Sequence, residues 1–95
     1  MPYINQAQRG EIDPHLERFL NAMQDRGLFT AGALNYCITR LLISVIRDSD
    51  PPEVKGYDLY NELMGVLECA KLEFYRREVA PYEDIKADRN GDLYG

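Results

Sequence analysis

Between Thr30 and Asp48, and again from Asp58 to Val79, apolar residues recur every three or four positions, and this period dominates what the chain can become. In the first stretch Leu34, Ile38, Leu41, Leu42 and Val45 fall on one side of a helix, with Thr30 placed to cap it. In the second, Leu59, Leu63, Val66, Leu67, Ala70 and Phe74 do the same. A shorter pattern of Leu16, Phe19, Leu20 and Met23 runs up to Gly27; Asp13 offers a cap and Pro14 suits a first helical position. The spacing therefore predicts an all-α fold, a small bundle of three main helices with a short first helix and two longer ones. An extended arm over residues 1–12 precedes them. Pro81 is expected to end the third helix, with at most one further turn over Tyr82 to Ala87 before Asn90-Gly91 and a short tail. The run from Asp48 to Lys55, which contains Pro51 and Pro52, reads as a loop.

Ninety-five residues allow one hydrophobic core, so residues 1–95 are expected to form a single helical domain. A core this small leaves a narrow margin of stability, which association would widen, and a homo-oligomer is the expected state. The third helix also carries a second stripe, Met64, Leu72 and Tyr75, on roughly the side opposite its first, and these residues are the expected interface.

Sixteen acidic against eleven basic residues give a net charge of -5, which disfavours broad binding to nucleic acid or to anionic lipid. The longest apolar stretch, near Leu41 to Ile46, is too short to cross a bilayer, and no amino-terminal signal pattern is present, so a cytoplasmic location is expected. Cys37 and Cys69 sit within apolar helical patterns and read as buried free thiols.

No constellation of residues carries obvious catalysis, and neither cofactor nor metal is expected. His15, the single histidine, has no cysteine or histidine at ligand spacing. Asp88 to Asp92 resembles part of a calcium loop, but Lys86 falls at the first ligand position and the chain ends before the closing glutamate. Glu62, Glu68 and Glu73 invite a metal-dependent nucleotide hydrolase, a third reading, yet Glu68 points away from the other two. Glu73 with Arg76 or Arg77 fits a surface ion pair instead.

The richest surface is a set of tyrosines and cations. Tyr36 and Arg40 share the face of the second helix opposite its core stripe, and Lys71, Tyr75, Arg76 and Tyr82 follow on the third helix and just beyond. Arginine can fork onto a phosphate or carboxylate while a tyrosine ring stacks on a planar group. These six residues are the candidate site for a small anionic, nucleotide-like ligand held at an oligomer boundary by a non-enzymatic protein. The competing reading is a module that binds a host or virion protein through Met64, Leu72 and Tyr75.

Leu34-Asn35-Tyr36, Ile38-Thr39-Arg40-Leu41, Gly65-Val66-Leu67-Glu68, Lys71 to Arg77, Pro81-Tyr82-Glu83-Asp84 and Asn90-Gly91-Asp92 resemble a group of small phage and bacterial proteins with no established activity. The resemblance spans most of the chain. It implies a phage or prophage origin and assigns no functional residue.

Overall fold

The computed structural model describes residues 3–48 and 56–95. It is helical, as the periodicity requires, and its backbone gathers into two compact units, residues 1–48 and 49–95. The expected loop falls almost wholly outside the described residues, as does the Met-Pro start of the expected arm.

In the first unit, α1 runs Gln6–Asp25 and α2 runs Ala31–Asp48. The start of α1 corrects the expected arm, because the helix opens seven residues before Asp13. Asn5 is its cap: the Asn5 side chain accepts from the Gln8 amide at 2.8 Å, and the Gln8 side chain accepts from the Asn5 amide at 2.9 Å. This reciprocal box satisfies two amides that a helix start otherwise leaves unpaired. Pro14 consequently lies inside the helix rather than at its first position.

Gly27 ends α1 as expected. At φ +65° it adopts the left-handed conformation. Leu28 N–H then reaches Met23 C=O at 2.9 Å, and Gly27 N–H reaches Gln24 C=O at 3.1 Å. These are the two bonds of a Schellman end, which glycine accommodates without a side-chain clash. Thr30 then caps α2, its hydroxyl accepting from the Ala33 amide at 3.1 Å.

The second unit is one continuous helical run: α3 over Tyr57–Phe74, a π turn over Tyr75–Val79, and α4 over Ala80–Asn90. Pro81 therefore does not end the helix. It sits in the first turn of α4, and the turn before it widens so that Ala80 N–H bonds to Tyr75 C=O, five residues back. A proline in a regular helix would press its ring against the carbonyl four residues earlier; the wider turn and the first-turn position relieve that conflict. Gly91, at φ +88°, closes α4, and its N–H bonds to Ala87 C=O at 2.9 Å. No helix among the described residues is long and apolar enough to cross a membrane.

Among the described residues Met23, 7% exposed, is the buried hydrophobic side chain. Of the stripe expected to face a core, Leu34, Ile38, Leu41 and Val45 keep 44–69% of their surface and Leu42 is half-buried. Met64, Leu72 and Tyr75 on α3 and the π turn are similarly open.

Candidate functional site

The early start of α1 extends its apolar face by Ile12. Ile12, His15, Leu16 and Phe19 lie at positions i, i+3, i+4 and i+7 of α1, a spacing that keeps them on one face. On α2, Cys37, Arg40, Leu41 and Ser44 repeat the same spacing, with Tyr36 beside them. The two helices do not pack closely along their lengths. Between the two seams lies an open cleft of about 500 Å³.

Arg40 supplies the charge of this cleft. One of its guanidinium nitrogens donates to the Tyr36 hydroxyl at 2.8 Å, and the guanidinium carbon stands 5.7 Å from the Tyr36 ring centroid. Among the described residues no carboxylate lies within ion-pairing distance of Arg40. The ring and the hydrogen bond hold the side chain, while most of its donor fork remains for an incoming anion.

The other polar groups of the cleft contribute less. The Ser44 hydroxyl donates to the Arg40 carbonyl at 2.8 Å, so it is turned back onto its own helix. His15 Nδ1 lies 2.7 Å from an Arg18 nitrogen. A guanidinium cannot accept, so Nδ1 accepts and the ring proton resides on Nε2. The same arginine also donates to the Pro14 carbonyl at 3.3 Å. The result is a greasy cleft with one strong anion-binding group and one imidazole.

The candidate residues of the second unit are engaged differently. Lys71 pairs with Glu68 at 3.4 Å and Arg76 with Glu73 at 2.9 Å, all on open helix surface. The Glu73 to Arg76 pair is the one the spacing foretold. Lys86 stands over the Tyr82 ring at 5.7 Å. Tyr75 meets Glu83, whose carboxylate accepts from the phenol and whose charge, with that of Asp84, raises the Tyr75 pKa above its ordinary value near 10. The π turn explains this meeting. Residues eight apart on a regular α-helix are offset by about 80°, and a widened turn that absorbs one residue nearly cancels the offset.

The structure thus brings Tyr36 and Arg40 together at a cleft, whereas Lys71 and Arg76 each hold a neighbouring glutamate. Of the cleft's α1 wall, Ile12 alone lies ahead of the expected start at Asp13; Leu16 and Phe19 were legible as an apolar face, but period does not say which helix that face meets. The signal that would have found the earlier start is Asn5-x-x-Gln8 ahead of an apolar period. Cys37 and Cys69 are both free; Cys37 is half-buried at the cleft, and Cys69 is exposed rather than buried. No group of three or more His, Cys, Asp or Glu side chains converges as a metal site among the described residues.

No curated protein and no solved structure matches the chain. Residues 1–93 match the family model described as a domain of unknown function, DUF6899, and the chain belongs to that family.

Proposed function

We propose that this protein is a non-enzymatic binding protein that captures a small anionic ligand with a planar or apolar body in the cleft between α1 and α2. The single observation that supports this reading most is Arg40, supported by Tyr36 and facing an apolar cleft with no carboxylate among the described residues to neutralise it. A guanidinium beside apolar walls offers an anion a charge-assisted hydrogen bond and its apolar body a surface to lie on. Tyr36 and Phe19 give a planar group surfaces to stack on, and Ile12, Leu16 and Leu41 give it apolar walls.

Of the six residues expected to bind, Tyr36 and Arg40 carry the proposal. Lys71 and Arg76 are paired with Glu68 and Glu73, Lys86 stands over the Tyr82 ring, and the Glu83 carboxylate acts on the Tyr75 phenol. A phage origin, implied by the sequence resemblance, would make a nucleotide signal of host defence, met in the cytoplasm, a fitting ligand.

Isothermal calorimetry against mononucleotides and cyclic nucleotides tests the proposal. Saturable binding is expected, and Arg40→Ala should weaken it by about ten- to a hundredfold, the worth of a hydrogen bond to a charged group. Absence of binding by every member of the panel, or equal binding by the variant, removes the proposal.

A second reading is supported by a different observation. Met64, Leu72 and Tyr75 keep 65%, 54% and 47% of their surface, enough apolar exposure to suit a module that binds a host or virion protein. Capture of one defined partner from host lysate, lost in Leu72→Glu, is its expected signature.

A further inference from the structure

We infer that a second copy of this chain closes the cleft, so that two α1/α2 hairpins meet at their open seams and the ligand site is completed only in the pair. The inference deepens the ligand reading, and its ligand-linked half rests on that reading; the pairing itself does not.

Three observations lead to it. First, both walls of the cleft carry the i, i+3, i+4, i+7 spacing with which helices pack into bundles, at Ile12, His15, Leu16 and Phe19 and at Cys37, Arg40, Leu41 and Ser44. A hairpin presenting two such seams is complementary to another hairpin presenting the same two, which is the condition for a two-fold contact.

Second, charge singles out this half of the chain. Residues 1–48 hold five acidic and five basic side chains, whereas residues 49–95 hold eleven and six. Two copies meeting through the first half carry no net repulsion into the interface. Two copies meeting through the α3 stripe bring like-charged surfaces together.

Third, the cleft is open as it stands. Leu41 is 69% exposed and Tyr36 60%, so a small molecule lying there would keep much of its surface in water. Small-ligand sites ordinarily enclose most of the ligand. A second hairpin supplies the missing wall and brings a second Arg40 toward the same space. Two guanidinium groups at the solvent-accessible edge of the pair favour an anion between them, so a bound ligand strengthens a pairing that the apolar seams already hold.

The test uses the full chain without ligand. Light scattering should give about twice the 11.0 kDa chain mass. Leu41→Glu and Leu16→Glu should return the mass to that of one chain, and Leu72→Glu should leave it doubled. The two free thiols supply a check that needs no variant. Cys37 lines the cleft and is half-buried even in one chain, whereas Cys69 lies outside it and is exposed, so a thiol reagent should modify Cys37 on the order of tenfold more slowly, and dilution should narrow the difference. A single-chain mass at high concentration, a dimer broken by Leu72→Glu but not by Leu41→Glu, or protection of Cys37 that ignores dilution would each overturn the pairing. Failure of the ligand reading shows separately, as a doubled mass with no nucleotide bound. Success of both shows as a mononucleotide or cyclic nucleotide that slows dissociation of the pair.

Discussion

Tyr75 and Glu83 show how one widened turn sets the behaviour of a single side chain. The carboxylate accepts from the neutral phenol and repels the phenolate, so the Tyr75 pKa in the folded chain stands above 10. A group whose folded pKa is raised adds stability while it stays protonated. This contribution is complete below pH 10 and disappears as pH climbs through the folded value. Neutral-pH measurements should therefore be flat with respect to Tyr75, and alkaline titration should reveal it. With absorbance near 295 nm following the seven tyrosines, Glu83→Gln should move one phenol downward toward pH 10. An unchanged titration curve would mean that the pair does not hold in solution. At the cleft, the Tyr36 hydroxyl accepts from the Arg40 guanidinium and holds it in place. Arg40→Lys keeps the charge at this position but not the fork, so ligand capture should fall without being lost, a split that calorimetry can read.

At the scale of elements, the helix ends are where sequence and structure can be compared most directly. Thr30, Gly27 and Gly91 were legible because each is a residue type with one strong local role: a hydroxyl that caps, and glycines that turn left-handed. The beginning of α1 was not legible in the same way. Asp13-Pro14 matches the form of a helix start, whereas Asn5-x-x-Gln8 lies in a stretch with no clear apolar period to draw notice to it. The continuation through Pro81 was hidden for another reason: proline's penalty is written for a regular α-helix, and nothing in the local sequence announces a π turn. These ends also give measurable predictions. Asn5→Ala removes the side-chain half of the capping box and should cost about 1 kcal/mol. Gly27→Ala forces a side chain into the left-handed region at φ +65° and should cost about 1 to 2 kcal/mol. Urea unfolding followed by circular dichroism checks both. Pro14→Ala, by contrast, should stabilise α1, because it restores an amide donor inside a helix.

For the whole molecule, the relation between helix content and burial decides how the chain can be stable. Apolar periodicity made the helices readable, and two residues of the candidate site, Tyr36 and Arg40, were placed by it on the face opposite the stripe. What period alone does not fix is which partner a stripe faces, and Leu34, Ile38, Leu41 and Val45 remain 44–69% exposed where a core was expected. Hydrophobic burial is the main favourable contribution to folding, and isolated helices of this length are marginal in water; with Met23 the buried hydrophobic side chain among the described residues, the proposed pairing would supply further stability. If association and folding are coupled, the melting temperature depends on concentration, since mass action favours the assembled state. The thermal midpoint, followed by circular dichroism at 222 nm, should thus rise steadily as chain concentration rises from micromolar to millimolar. Leu41→Glu should both lower the midpoint and flatten this dependence, because it places a charge in the seam. Added salt should raise the midpoint modestly by screening the acidic excess of residues 49–95. A midpoint that does not move with concentration would show that each chain is stable alone, and the exposed stripes would then have to be covered without a second copy.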